Sequence, residues 1–168
     1  MESITDANYG EFKDSLRAVL LISTSWCQQC QKYLPAIETL ARQMPFIRFG
    51  KTILDKDRSI RLKREYPDIG KWVFPSTVFF KKEKETGKIH GVRAYPELVS
   101  KVQEYLLLGE TVFVPAGNGI YIPASIQQIS GAKGSYLVKW KEDSSLGKKG
   151  AIVQIPAERI NWGLEIKV

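Results

Sequence analysis

An apolar segment that ends shortly before two cysteines constrains the fold of this chain more than any other stretch. Residues 18–22, AVLLI, have the length and the Val, Leu and Ile content of a strand that is buried on both faces of a sheet. A Ser-Thr-Ser turn follows, and Cys27 and Cys30 come next with two residues between them. The segment therefore predicts a central strand with a cysteine pair just beyond its carboxyl end.

The residues after Cys27 have the apolar spacing of an amphipathic helix, with Leu34, Ile37 and Leu40 on one face. Cys27 is therefore expected at the helix N-terminus, where unpaired backbone N–H groups and the helix dipole stabilise an anion. Its thiol should ionise more readily than a free thiol. Cys30 is within disulfide reach and is expected to be less exposed, so Cys27 is the candidate nucleophile and Cys30 the resolving cysteine.

The cysteine pair has two alternatives to redox chemistry. A metal site needs further cysteine or histidine ligands, and the one histidine, His90, lies far along the chain, so no metal site is predicted. A pair of inert buried thiols is at odds with a position at the start of a helix, directly after Trp26. The pattern favours dithiol chemistry.

Composition narrows the class of protein further. A chain of 168 residues can form one ordinary domain or two small ones, and a hydrophobic fraction of 43% is enough for a folded core. No apolar run reaches transmembrane length, and residues 1–12 lack the basic and apolar segments of a secretory signal. With two cysteines so close together, no framework of structural disulfides is expected. We therefore expect an intracellular protein, in the cytoplasm or alternatively the nucleus, with no membrane partner.

The net charge of +7 permits contact with nucleic acid or acidic proteins without demonstrating either. The most basic segment, RSIRLKR at residues 58–64, has no aromatic residue among its charges. Aromatic rings that stack on bases usually accompany the charges of a single-strand binding site. A solvated helix face is therefore the favoured interpretation of this segment.

Hydrophobic periodicity and turn residues predict alternating helices and strands up to Gly109, which is a plausible helix cap. The predicted elements are a helix at 10–16, strands at 18–22 and 46–54, helices at 27–41 and 57–66, a strand at 75–80, a polar hairpin turn at 81–88, a strand at 89–94, and a helix at 97–108.

Four motifs in this order and spacing carry a family resemblance. They are Trp26-Cys27-x-x-Cys30, Pro35 five residues after the second cysteine, Phe74-Pro75-Ser76-Thr77 at the start of a strand, and Gly91 before the last helix. With them, residues 1–109 resemble a thioredoxin-fold domain. The resemblance implies an α/β fold with a central mixed sheet flanked by helices.

The resemblance also implies a function and a substrate site. In that family the proline that matches Pro75 is cis and faces the cysteines, and the loop around it holds the substrate chain. The expected substrate-binding residues are Trp26, Phe74, Pro75, Ser76 and Gly91. An ordinary strand-initiating proline and a plain packing tryptophan are the alternatives for Pro75 and Trp26. The implied activity is reduction of protein disulfides, with a recycling reductase as partner and no cofactor besides the redox-active cysteine pair.

The sequence departs from the family pattern in two places. Between the cysteines stand Gln28 and Gln29, where thioredoxins have Gly-Pro and disulfide isomerases Gly-His. Without an imidazolium beside the thiolate, a strong oxidant is not expected. Leu21 occupies the position of the family's buried acid, which assists removal of the proton from the resolving thiol. Its absence predicts slower resolution or a substitute base.

The sequence changes character from Thr111 onward. Short strand-like runs are separated there by Gly, Pro, Asn and Ser, which is typical of a small all-β barrel. The five runs are residues 111–115, 119–130, 134–143, 150–156 and 163–168. We therefore assign residues 110–168 to a second domain.

Three segments of this region, 119–126, 136–140 and 153–160, resemble a tudor or related SH3-like barrel. Tudor domains of the reader type bind methylated side chains in an aromatic cage. Only Trp140 matches a cage aromatic, and Ile122 replaces the cage tyrosine, so a methyl-reading cage is not expected.

Tyr121, Tyr136 and Trp140 have two interpretations. They form either the core of the barrel or a flat face that binds a peptide or a nucleic-acid strand. Lysines that could support such a face are Lys133, Lys139, Lys141, Lys148 and Lys149.

The expected protein is thus a thiol-disulfide oxidoreductase with an appended barrel that binds a protein or nucleic-acid partner. The alternative is an adaptor that holds partners through both domains, with cysteines that are vestigial or regulatory. Leu21 and the appended barrel favour the adaptor. The intact cysteine and Phe-Pro-Ser motifs favour the enzyme.

Overall fold

Two compact units make up the chain, Met1–Leu106 and Leu107–Val168. The computed structural model describes residues 1–130, 135–156 and 159–160. Each unit contains a sheet of its own. The division falls close to residue 109, where the change in sequence character placed the domain boundary.

The first unit is built on a five-stranded mixed sheet with strand order β1-β3-β2-β4-β5. Strands β1 and β2 both run parallel to β3, whereas β4 and β5 are antiparallel to their neighbours. Its strands are β1 (Glu2–Ser3), β2 (Ala18–Ser23), β3 (Arg48–Ile53), β4 (Ser76–Lys81) and β5 (Lys84–His90). Its α-helices are α1 (Tyr9–Lys13), α2 (Gln28–Gln43), α3 (Ile60–Glu65) and α4 (Tyr95–Val102). The predicted α/β fold with a central mixed sheet is confirmed.

Strand β2 is the middle strand, and both of its faces are buried, as its uninterrupted apolar run predicts. Alternate residues of a strand point to opposite faces of the sheet. Leu20 and Ile22 belong to a cluster that also contains Phe12 of α1 and Leu62 of α3. Leu21 lies on the other face and is equally buried.

The ends of two strands meet at one edge of this sheet. Because β4 is antiparallel to β2, Ser76 at the start of β4 pairs with Ile22 near the end of β2. The chain continues from β2 into the cysteine turn, and it enters β4 from Phe74 and Pro75. The topology thus places the two sequence motifs at the same edge.

The hairpin between β4 and β5 differs from the predicted one. The sequence predicts a polar turn over residues 81–88, but β5 already begins at Lys84 and the turn is limited to Lys82 and Glu83. Both turn residues have left-handed backbone angles, with φ of 46° and 70°, which suits a two-residue hairpin turn. Strand β5 is an edge strand, where charged residues are tolerated and discourage pairing with other chains. This explains how a segment so polar forms a strand.

Sequence reasoning missed strand β1, which has only two residues, too few to show alternation. The helix predicted at 97–108 is present, but it begins two residues earlier, at Tyr95, because Pro96 fits the first turn of a helix. The helical path after α4 then changes to one π-helical turn, Gln103–Leu107.

The second unit contains a curled antiparallel sheet with strand order β6-β7-β8-β9. Its strands are β6 (Thr111–Gly117), β7 (Ile120–Ser130), β8 (Ser135–Trp140) and β9 (Ile152–Pro156). Buried residues alternate along these strands, as in Tyr136, Val138 and Trp140, so one face of the sheet forms a core. The predicted run at 163–168 lies outside the described residues. The sheet is consistent with the small barrel expected here, and a tudor or SH3-like identity stays a prediction.

In the part of the chain described here, no helix is both long enough and apolar enough to span a membrane.

Candidate active site

Cys27 and Cys30 form a disulfide at the N-terminus of α2, with their Cα atoms 5.3 Å apart. Cys27 is the N-cap residue of the helix, and the backbone N–H of Cys30 donates to Cys27 Sγ at 3.2 Å. Cys27 retains 8% exposure and Cys30 4%. A helix N-terminus with an N–H aimed at the sulfur favours negative charge there once the disulfide is reduced. The geometry therefore suits Cys27 for the thiolate role.

The turn before Cys27 is fastened to a neighbouring loop. The Ser25 N–H donates to Asp55 Oδ1 at 2.8 Å, and the Ser25 hydroxyl donates to the other oxygen of the same carboxylate. These hydrogen bonds hold the pKa of Asp55 below its usual range. The Cys27 N–H donates to the carbonyl of Thr24 at 3.2 Å and closes the turn. Sequence reasoning missed Asp55, because an acidic residue in a charged loop carries no local signal of its distant partner.

A second loop, from Val73 to Ser76, lies at the same edge of the sheet, and we call it the proline loop. The Phe74–Pro75 peptide bond is cis. The Phe74 ring meets the edge of the Trp26 ring, with centroids 6.2 Å apart, and Trp26 is 71% exposed. This ring contact joins the cysteine turn to the proline loop and leaves most of the indole open to a partner.

Gly91 is hydrogen-bonded to the proline loop through its backbone. Its N–H donates to the Pro75 carbonyl at 2.7 Å. Its φ of 83° lies in the left-handed region, where a residue with a Cβ is strained. The preference for glycine at this position thus has a backbone cause.

Pro75 and Ser76 are the buried members of the expected substrate-binding set, and Ser76 is fully buried. Its hydroxyl donates to the Val73 carbonyl at 2.7 Å and lies 2.8 Å from His90 Nδ1. Its side chain therefore shapes the loop from inside and is not presented to a substrate. The structure brings Trp26, Phe74, Pro75 and Gly91 together by direct contacts, with Ser76 beneath them.

The row of residues that crosses the sheet at Leu21 contains no carboxylate. In register, Leu21 pairs with Lys51 of β3 on one side and with Thr77 of β4 on the other. Beyond these lie Ser3 and Ile89. The ionisable side chain in this row is therefore the amine of Lys51. No residue of the row replaces the buried acid that the family has at the position of Leu21.

Tyr33, one turn along α2 from Cys30, is a further ionisable residue near this row. Its hydroxyl lies near Thr77, and burial raises the pKa of Tyr33. The phenol thus stays protonated at neutral pH and does not provide a base. Across the described residues, no group of three or more His, Cys, Asp or Glu side chains is placed to hold a metal ion.

The three aromatic residues of the second unit do not form one exposed face. Tyr136 and Trp140 are buried, with 4% and 2% exposure, and only Tyr121 reaches the surface, with 36%. Tyr136 and Trp140 are four residues apart in β8, so the alternation of the strand places both on its buried face. The interpretation of the three rings as one flat binding face is therefore wrong. Tyr136 and Trp140 belong to the core, and Tyr121 lies at the surface.

The lysines proposed around that face are mostly at the surface. Lys141 Nζ donates to Thr111 Oγ1 at 2.6 Å, and Lys148 Nζ lies 3.9 Å from an Asp143 carboxylate oxygen. Lys139 is exposed on β8. Lys133 lies outside the described residues.

The mixed sheet, the N-cap cysteine disulfide and the adjoining proline loop define a thiol-disulfide oxidoreductase fold. The family model for thioredoxin matches residues 2–104, and the chain belongs to the thioredoxin family. This match covers the first unit.

Two curated relatives show similar sequences. A thioredoxin from Chlamydia muridarum is 28% identical over 97 residues, which is 56% of this chain and 90% of that protein. Glutaredoxin-3 from Homo sapiens is 27% identical over 115 residues, 65% of this chain. The match spans 32% of the human protein's length.

Solved structures share the fold. A thioredoxin from Fasciola hepatica has a TM-score of 0.53 and 22% identity, covering 62% of this chain and 99% of its own. A mutant thioredoxin from Halobacterium salinarum has a TM-score of 0.54 and 21% identity, covering 64% and 91%.

The burial of Trp140 and the exposure of Tyr121 give a direct test of which ring belongs to the core. Trp140→Ala is expected to lower the free energy of unfolding by about 3–5 kcal/mol, because it leaves a large cavity. Tyr121→Ala should change it by about 1 kcal/mol or less, since the ring is partly exposed. Urea unfolding followed by circular dichroism measures both. Equal losses for the two variants would contradict this assignment.

Proposed function

We propose that this protein is a thiol-disulfide oxidoreductase that reduces disulfides of protein substrates. The observation that carries the proposal is the position of Cys27, whose Sγ accepts the Cys30 N–H at the start of α2, in a chain of the thioredoxin family. Dithiol exchange is the chemistry that such a sulfur performs.

The reaction begins from the reduced pair. The Cys27 thiolate attacks one sulfur of the substrate disulfide, the substrate S–S bond breaks, and the departing sulfur takes up a proton. Cys30 then loses its proton and attacks Cys27 Sγ in the mixed disulfide. This step forms the Cys27–Cys30 bond and releases the second substrate thiol. Two electrons pass from the dithiol to the substrate, and a separate reductase must restore the pair.

The proline loop is the proposed docking site for the substrate chain. Phe74 precedes β4, so its backbone is not part of the sheet ladder and is free to pair with an extended peptide. Val73 and Trp26 are exposed apolar side chains on the two adjoining loops, and they can cover the residues that flank the substrate disulfide. The dithiol itself carries the electrons, so the proposal includes no further cofactor.

Leu21 sets the expected limit on the rate. Resolution requires a proton to leave the Cys30 thiol, and a positioned base accelerates such a transfer by about 10²–10⁴-fold. The row at Leu21 offers Lys51 and Thr77 but no carboxylate. We therefore expect slow release of the mixed disulfide.

Leu21→Asp tests this limit, with Leu21→Asn as the matched control. The aspartate should accelerate resolution of a preformed mixed disulfide by about tenfold or more, because it supplies a base at the position of the family's buried acid. The asparagine has the same shape without the base and should not accelerate it. Single-turnover release of substrate thiol measures the step, and urea unfolding shows that both variants remain folded. Equal rates for the two variants would show that the missing acid is not the cause of slow release of the mixed disulfide.

The activity itself is tested by reduction of insulin disulfides with dithiothreitol as the external reductant. The wild-type chain should accelerate the reaction, and Cys27→Ser should abolish the acceleration because the nucleophile is gone. Cys30→Ser should instead accumulate a mixed disulfide that is visible by mass spectrometry. A folded wild-type protein that is no faster than Cys27→Ser would contradict the proposal.

An adaptor is the second candidate function, and Leu21 is the observation that favours it. A thioredoxin-family domain without efficient resolution can still hold a partner at the proline loop. In both candidates the second unit is proposed as a binding module for a protein or nucleic-acid partner, with Tyr121, Lys139 and Lys148 on its surface. The cytoplasm, or alternatively the nucleus, is the proposed location.

A further inference from the structure

His90 is the single histidine of the chain, and it stands beside the proline loop. It is the last residue of β5 and pairs in register with Ser76, the first residue of β4. Its ring is half-buried, and Nδ1 lies 2.8 Å from Ser76 Oγ. The reaction described above assigns no role to it.

The direction of this hydrogen bond follows from the neighbour of Ser76. A serine hydroxyl has one proton to donate, and Ser76 donates it to the Val73 carbonyl, which can only accept. Ser76 Oγ must therefore accept a hydrogen bond from His90. The proton of the neutral ring is thus on Nδ1, and an imidazolium would offer the same donor.

The resulting chain of bonds spans the proline loop. His90 holds Ser76, and Ser76 holds the Val73 carbonyl, so the residues on both sides of Phe74 and Pro75 are tied. The next residue, Gly91, donates its N–H to the Pro75 carbonyl at 2.7 Å. The end of β5 thereby fixes the loop at three points.

The ring of His90 also has a packing partner. The Trp72 ring meets it edge-on, with centroids 4.9 Å apart. A role in packing and a role as hydrogen-bond donor therefore coincide in one side chain, and a test must separate them.

We propose that His90 is a positioning residue for disulfide exchange. Its Nδ1–H, acting through Ser76, holds the Val73–Ser76 loop in the conformation that receives the substrate chain. This inference rests on the proposed reductase function. It adds a residue that acts on substrate binding and leaves the sulfur chemistry to the cysteines.

Two substitutions separate the donor from the ring. His90→Asn keeps an N–H donor near the position of Nδ1 and removes the ring. His90→Phe keeps the ring against Trp72 and removes the donor. His90→Phe should raise the KM for insulin by about three- to tenfold, because one ordering hydrogen bond is lost, with kcat within about twofold. His90→Asn should restore KM to within about twofold of the wild-type value.

Nitrogen NMR of the wild-type chain tests the hydrogen bond without any turnover. With a single histidine, the spectrum contains one imidazole, and the expected neutral form carries its proton on Nδ1. Amide exchange of Gly91 should be faster in His90→Phe than in His90→Asn, because the loop that receives its hydrogen bond is released.

The outcomes distinguish this proposal from the proposed function. A neutral ring protonated on Nε2, or equal KM values for the two variants, overturns the positioning role even when the wild-type protein reduces insulin. A wild-type protein without activity overturns the reductase function. The NMR and exchange results then still decide whether His90 holds the loop.

Discussion

The hydrogen bond from the Cys30 N–H to Cys27 Sγ is the interaction on which the proposed dithiol chemistry depends. It exists because β2 is an apolar central strand, the turn after it is short, and α2 begins at Gln28 with Cys27 as its cap. An unpaired N–H at the start of a helix needs an acceptor, and here the acceptor is the sulfur. The fold thereby satisfies a backbone group and prepares a nucleophile with the same contact.

The two loops at the cysteine edge of the sheet are fixed by hydrogen bonds, but the proton acceptor expected near the cysteines is missing. Asp55 binds the turn before Cys27, and Ser76 and Gly91 bind the proline loop. Leu21 is buried in β2, and the row of the sheet at Leu21 contains no carboxylate that could accept a proton in the proposed second step. Under the proposed function, this combination favours capture of a substrate disulfide over its rapid release, and it leaves the enzyme and the adaptor as the two proposed roles of the site.

Local patterns predicted the parts of the structure that depend on neighbours in sequence. The apolar run predicted β2, the apolar spacing predicted the helix after Cys27, and the turn residues between short strand-like runs predicted the strands β6 to β9. The hydrogen bonds between Ser25 and Asp55 and between His90 and Ser76 join residues far apart in sequence, so only the folded structure reveals them. Trp140 is buried because it lies on the inner face of β8, and its residue type alone did not show which face that would be.

The reduction potential of the Cys27–Cys30 pair distinguishes a reductase from an oxidant. Equilibration of the full chain with dithiol buffers of defined potential, followed by alkylation and mass spectrometry, measures it. With a helix N-terminus at the sulfur and glutamines in place of an imidazolium, we expect a value near that of thioredoxin, about −270 mV. A value near that of a strong oxidant, about −120 mV, would contradict a reductase.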